Sequence, residues 1–254
     1  MTQFKVDKLN VEVYNNRLQM GTKVAEDLIL TLNQVIEMKG EARVIFAAAV
    51  SQLDVLKVLK ETDKVDWSKV VAFHMDEYHT LPITAQQRFG NFLNKHIFNA
   101  LSFKEVNLLC DDERIPLEQQ ITNYEIKIKE KEIDVVICGI GENGHLAFND
   151  PPVADFNDKA VLKVVELDHV CKMQQVHDGA FNEIEEVPSH ALTLTIPFLM
   201  NVGKVFCVVP GAQKASAVYR TLNDSIDESC PSTILRRFDN STLYLDKSSF
   251  GGGK

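Results

Sequence analysis

His145 closes the run Gly139-Ile140-Gly141-Glu142-Asn143-Gly144-His145, with Asn143 and Asp150 nearby as side chains able to orient an imidazole. Histidine is the natural general acid/base near neutral pH, so this loop is a candidate proton-transfer centre. A loop histidine satisfied by local backbone is the plainer alternative. The apolar run before the loop and its small polar residues favour the chemical role. A second cluster, His74-Met75-Asp76-Glu77-Tyr78, puts two adjacent carboxylates straight after an apolar run, which is costly unless they are solvated or paired. Strand alternation places His74, Asp76 and Tyr78 on one face and Glu77 on the other. One carboxylate can then work as a base while its neighbour holds structure; a solvated strand end or a helix N-cap would also explain the pair. A metal site built on His74, Asp76 and His79 lacks further ligands at convincing spacing, and no metal is expected.

The glycines of the histidine loop match G-x-G-x-x-G, a dinucleotide fingerprint when a helix opens within it. Pro151-Pro152 follows too soon for a long helix, so that reading fails. Glycines such as Gly141 and Gly144 more plausibly let backbone amides approach an anion or a sugar closely. Lys214 follows Pro210-Gly211 at the head of a helical pattern, where it can offer a phosphate a positive charge beside helix N-terminal amides.

These segments need elements to position them. Short apolar runs of the buried-strand kind are Val44-Ile45-Phe46-Ala47-Ala48, Val70-Val71-Ala72-Phe73, Val135-Val136-Ile137-Cys138, Val205-Phe206-Cys207-Val208-Val209 and Leu243-Tyr244-Leu245. Helical spacing covers about 24–38, with Gly40 as its stop, and then 53–59, 117–131 and 212–222. Strands buried on both faces and alternating with helices predict an α/β fold with a mostly parallel sheet and helices on both sides. In such folds the ligand sits beyond the carboxyl ends of the strands, where the residues singled out above stand. No linker appears, so one domain over 1–247 and a flexible tail over 248–254 are expected.

The 254 residues are 45% hydrophobic and 8% aromatic, an ordinary globular composition. Lys plus Arg number 27 against 36 Asp plus Glu, a formal net charge of −9, which argues against a broad nucleic-acid or anionic-membrane surface. One small anion needs only a few local donors. No stretch approaches the roughly 18 apolar residues of a membrane helix. Five scattered cysteines without a C-x-x-C pair, and no apolar signal core at the N-terminus, predict a reduced, cytoplasmic protein. Cys138 and Cys207, inside apolar runs, read as small core residues. Association into homo-oligomers stays open.

Together the segments resemble the glucosamine-6-phosphate deaminase/isomerase family, which includes 6-phosphogluconolactonase relatives. The resemblance rests on Met75-Asp76-Glu77-Tyr78 with Leu81-Pro82, and on Gly139-Ile140-Gly141-Glu142-Asn143-Gly144-His145-Leu146-Ala147-Phe148-Asn149. Pro188 with Ala191-Leu192-Thr193, and Gly211-Ala212-Gln213-Lys214-Ala215, extend it over roughly 40–245. It implies a Rossmann-like α/β sandwich and conversion of an amino-sugar 6-phosphate to a ketose phosphate with release of ammonia. It also implies roles: Asp76 as the base moving a proton between C2 and C1, and His145 assisting ring opening. Asn143 and Asp150 would flank His145, and Lys214 would meet the phosphate. No cofactor or metal is required by this chemistry.

The chain departs from the family pattern in ways that bear on substrate. Asn143 stands where the family usually has an aspartate, and the family's glutamate before the proline is the shorter Asp150. The first phosphate loop reads Ala47-Ala48-Ala49-Val50-Ser51-Gln52, with only Ser51 and Gln52 as side-chain donors. The expected arginine before Ala191-Leu192-Thr193 is missing from Gln174-Gln175-Val176-His177-Asp178-Gly179-Ala180-Phe181, and Lys172 is a candidate to replace it. A hexosamine 6-phosphate, of glucosamine or galactosamine type, is the first expectation. Isomerisation of another sugar phosphate, lactone hydrolysis, and a sugar-phosphate-binding protein without catalysis are the alternatives.

Overall fold

The chain begins as an antiparallel hairpin, β1 (Thr2–Val6) and β2 (Leu9–Tyr14), and then enters the long helix α1 (Arg17–Lys39). Asn16 Oδ1 caps the start of that helix by accepting from Gln19 N. Gly40, at φ 80°, ends it in the left-handed conformation that glycine adopts without strain. Strand and helix then alternate: β3 (Ala42–Phe46), α2 (Leu53–Glu61), β4 (Val70–His74), the two-residue β5 (Asp76–Glu77), α3 (Phe89–His96), β6 (Glu105–Asn107), α4 (Leu117–Lys129) and β7 (Val135–Cys138). The remainder is β8 (Leu162–Glu166), α5 (His169–His177), β9 (His190–Leu194), α6 (Ile196–Met200), β10 (Lys204–Val209), α7 (Ala215–Asn223) and β11 (Ser241–Asp246). This computed structural model describes residues 1–251.

Eight strands form one sheet in the order β1-β2-β11-β10-β7-β3-β4-β6, parallel throughout except for β1. Alternate residues of the central strands feed two separate cores. Val44 and Phe46, Val135 and Ile137, and Phe206 and Val208 pack on the side of α1 and α2. Ile45, Val136, Cys138, Val205 and Cys207 pack on the side of α4, α6 and α7. The helix-sheet-helix sandwich expected from the apolar runs is therefore present, and Cys138 and Cys207 are core residues.

The order in which strands are added to the sheet reverses beside β3. The sequence β3, β4, β6 proceeds to one edge, while β7, β10 and β11 proceed toward the other. The carboxyl ends of β3 and β7 thus diverge at a topological switch point, where a parallel sheet leaves room for a ligand.

Two expectations need correction. The alternation proposed for 74–78 assumed one continuous strand, but the chain leaves the central sheet at Met75. Asp76 and Glu77 pair instead with β9, antiparallel, in a second sheet of order β5-β9-β8. His74 and Asp76 therefore do not share a strand face. Within the tail expected over 248–254, Ser249 is instead buried and exchanges hydrogen bonds with Asp246, and Phe250 packs on Phe4. Its last residues, 252–254, lie outside the described residues.

Candidate active site

A cleft of about 800 Å³ opens at the switch point. Ser51, Asp76, Gly141, His145 and Lys214, from four different strand-end loops, all line it. The loop after β7 is shaped around the histidine. Gly141 N donates to His145 O at 2.9 Å, and the imidazole lies so close to Gly141 that a Cβ there would stand 2.2 Å from His145 Cε1. His145 N in turn donates to Asn143 Oδ1 at 3.0 Å.

His145 Nδ1 lies 2.8 Å from Asp150 Oδ1, and Asn143 Nδ2 donates to the same oxygen at 2.9 Å. Asp150 is fully buried. Burial raises its carboxyl, but His145 first, then Asn143 and Cys171, outweigh this and hold it below its ordinary value. With the proton on Nδ1, facing the carboxylate, Nε2 is the acceptor. Asn143 does not line the cleft; it acts through His145 and Asp150.

Asp76 reaches the same space from β5. It is 7% exposed, and burial, with Glu77 beside it, pushes its carboxyl well above the usual carboxylate range. A perturbed carboxyl in a cleft is an acid/base candidate. Its neighbour is committed elsewhere: Glu77 accepts from Tyr78 N, Phe89 N and Gly90 N at 2.8, 3.0 and 2.9 Å, and faces Arg88 Nε at 3.4 Å. Glu77 therefore anchors the start of α3, and Tyr78 packs among Phe89, Phe148 and Phe181. His74 is also structural. Its Nε2 accepts from Leu109 N at 2.7 Å, and burial pushes the imidazole down to about 3.

Two residues assigned to the ligand from sequence face elsewhere. Gln52 is fully buried, and its Nε2 donates to Cys138 O and Val208 O, each at 3.3 Å, tying the ends of β7 and β10 together. Gly144, at φ 89°, packs on the 3-10 segment Pro231–Arg237, with Ser232 N donating to its carbonyl at 2.8 Å. A Cβ on Gly144 would fall 2.6 Å from Cys230 Sγ. Of the two side-chain donors of the first loop, Ser51 and Gln52, Ser51 alone reaches the cleft.

Lys214 is 9% exposed, and its Nζ has no hydrogen-bond partner among the described residues. Burial lowers its pKa, while Asp178, Glu142 and Cys171 oppose that shift. Lys172 does not line the cleft, so it does not replace the missing arginine. That stretch instead contributes Gln174, Gln175, His177 and Asp178. Arg17 also lines the cleft but is held by Asp54, Nε to Oδ2, at 2.6 Å. Sequence reasoning gave Arg17, Glu142 and Asp178 no role: Arg17 and Asp178 reach the cleft only through packing between distant elements, while Glu142 stands in the histidine loop itself.

His145, Asp150 and Cys171 bring a ring nitrogen, a carboxylate oxygen and a thiol within 4.8 Å of one another. Burial, then Asp150, raises the Cys171 thiol well above its ordinary value, so it stands there as an S–H group rather than a thiolate ligand. The arrangement suits proton transfer between Asp76, His145 and a bound sugar.

Residues 15–244 match the family described as glucosamine-6-phosphate isomerases/6-phosphogluconolactonase. The chain belongs to this family. It is 30% identical over 230 residues to the glucosamine-6-phosphate deaminase of Bacillus cytotoxicus, covering 89% of this chain and 84% of that one. The corresponding protein of a Bacillus cereus strain is 32% identical over 221 residues, covering 86% and 80%. In structure the chain resembles a monomeric glucosamine-6-phosphate deaminase, with TM-score 0.85, 21% identity and coverage of 95% and 98%. The 6-phosphogluconolactonase of Thermotoga maritima matches with TM-score 0.75, 19% identity and coverage of 93% and 99%. Family members thus share this sandwich while bearing the names of two activities.

Proposed function

We propose that this chain converts a hexosamine 6-phosphate to a ketose 6-phosphate with release of ammonia. The observation that carries the reading is that Asp76 and His145, the latter held by Asp150, open on one cleft at the switch point. His145 Nε2 serves ring opening: the C1–O5 bond breaks as the anomeric hydroxyl gives up a proton and O5 gains one. Asp76 then takes the proton from C2 as O1 gains one, giving an enolamine, and returns its proton to C1 as the nitrogen gives one up, leaving an imine at C2. Water adds there, the C–N bond breaks, and ammonia leaves. A carboxylate held in a poorly solvated site suits this shuttle, because it must accept and then release the same proton.

On this reading the chain works in amino-sugar catabolism, including the route from N-acetylglucosamine, in the cytoplasm and as one domain over 1–247. All five cysteines are buried and unpaired, which fits a reducing compartment. No helix among the described residues is long and apolar enough to cross a membrane. Another sugar phosphate is the second reading, favoured by the carboxylates of Glu142 and Asp178 near Lys214.

Ammonia release from glucosamine 6-phosphate and galactosamine 6-phosphate, run side by side, tests the proposal. Ammonia from either supports it, and the ratio of rates names the sugar. A folded protein silent on both, yet active on another sugar phosphate in a small panel, replaces it with the second reading.

A further inference from the structure

Joining two strand ends does not fully account for a glutamine at position 52. The side chain is fully buried, and its Oε1 has no hydrogen-bond partner among the described residues. A buried polar atom left unpaired is unfavourable, so what keeps an amide here lies at its other end. Nε2 stands 2.9 Å from Ser51 Oγ, and 3.3 Å from both Cys138 O and Val208 O.

Two amide hydrogens therefore serve three oxygens. The two carbonyls can only accept, which fixes the amide with Nε2 toward them. Ser51 Oγ must accept as well, because an amide nitrogen offers no lone pair to a hydroxyl hydrogen. Nor does the Ser51 hydrogen turn to Oε1, which stays unpartnered. Gln52 is the one hydrogen-bond partner of the Ser51 hydroxyl among the described residues, and Ser51 lines the cleft. Gly139, which opens the histidine loop, has no side chain where this pair sits. A Cβ there would stand 3.3 Å from both Gln52 Nε2 and Ser51 Oγ.

We propose that Gln52 is a positioning residue for ligand binding: its amide holds Ser51 Oγ as an acceptor and leaves the hydroxyl hydrogen for a ligand oxygen in the cleft. Gln52 itself does not touch the ligand. A hydroxyl that accepts one hydrogen bond is polarised by it and donates the next more strongly. The contacts to Cys138 O and Val208 O tie the device to the ends of β7 and β10. Ser51 is thereby held in register with the loop that carries His145. This rests on the proposed function only in taking the ligand to be a sugar phosphate.

The test is a double-mutant cycle read by binding. The probe is glucitol 6-phosphate, an open-chain hexitol phosphate with no carbonyl to isomerise. It is titrated calorimetrically into the full chain as wild type, Ser51→Ala, Gln52→Met and the double variant, each checked for folding by its melting temperature. Ser51→Ala is expected to weaken binding about tenfold, the loss of one hydrogen bond to the ligand. Gln52→Met is expected to weaken it about fivefold. The double variant should bind no more weakly than Ser51→Ala alone, because Gln52 acts only through Ser51. Independent roles would instead multiply the two losses, to about fiftyfold. Should Gln52→Met fail to fold, Gln52→Glu takes its place in the cycle. A protonated carboxyl there keeps the shape but has one hydrogen, which the carbonyls take, so Ser51 loses its donor in the same way.

Losses that multiply overturn the proposal, as does binding at wild-type strength in either single variant. Failure of the wild type to bind the probe removes the ligand contact, and the proposal with it. In turnover the loss from the Gln52 variant should fall on KM; a fall in kcat alone makes Gln52 a support of the histidine loop and overturns the proposal equally. Ammonia release decides the deaminase reading separately. A cycle without multiplication, in a protein that releases ammonia from neither hexosamine phosphate, would leave this proposal standing and sink that reading.

Discussion

His145 Nδ1 and Asp150 Oδ1 lie 2.8 Å apart, and Asp150 has no exposure to solvent. The carboxylate is shorter by one methylene than the glutamate of the family pattern, and the loop brings it close enough without that reach. Asn143 donates to the same oxygen, so an amide fixes the carboxylate that fixes the ring.

Asp150→Asn should lower kcat by about 10²-fold while leaving substrate affinity nearly unchanged, because Asp150 orients the ring and does not meet the sugar. Stability gives a second readout. The folded carboxyl sits below its ordinary value, so its contribution is full above about pH 4 and is lost as pH falls through the folded value. The stability gap between wild type and Asp150→Asn, read from urea midpoints, should therefore narrow on acidification. A gap that widens would contradict the assigned contact between Asp150 and His145.

Asp76→Asn should reduce turnover between about 10²- and 10⁴-fold, the range a positioned general base supplies. The amide is nearly isosteric, so the circular dichroism spectrum and melting temperature should stay close to wild type. Turnover near the wild-type rate would remove Asp76 from the proton transfer.

The five cleft residues named from sequence, Ser51, Asp76, Gly141, His145 and Lys214, were legible because each stands in the loop after an apolar run. A parallel sheet sends every such loop to one edge. Gln52 stands one residue beyond Ser51, yet its amide turns back to the carbonyls of Cys138 and Val208. A side chain's choice between ligand and backbone carries no sequence signal. Asp178 escaped for a different reason: it enters the cleft from α5, whose register depends on the β8–β9 pairing, and those short strands showed no continuous apolar run. The break at Met75 was equally invisible, since it depends on β9, more than a hundred residues away.

Glu77→Ala should be a folding defect rather than a catalytic one. It strips an anchor from three backbone N–H groups and leaves Arg88 buried, a loss of about 3–5 kcal/mol for a broken buried pair. Denaturant unfolding monitored by fluorescence should show the midpoint falling accordingly. A stable variant with impaired kcat alone would mean that Glu77 takes part in the chemistry.

Gly141→Ala and Gly144→Ala should fail in opposite ways, although the residues are three apart in one loop. At 141 the added methyl falls against the His145 ring, 2.2 Å from Cε1, and the imidazole must turn away to accommodate it. The ring borders open cleft, so the fold absorbs the shift while catalysis loses its geometry; a 1 Å displacement of a reacting group can cost about 10²-fold. At 144 the methyl meets Cys230 Sγ at 2.6 Å on a residue with φ 89°, away from the cleft. Packing and backbone strain then act together, and stability should fall by about 1–3 kcal/mol. Measuring melting temperature and kcat on both variants separates the two. Equal loss of stability in each would mean that the His145 ring is locked in place rather than bordering free space.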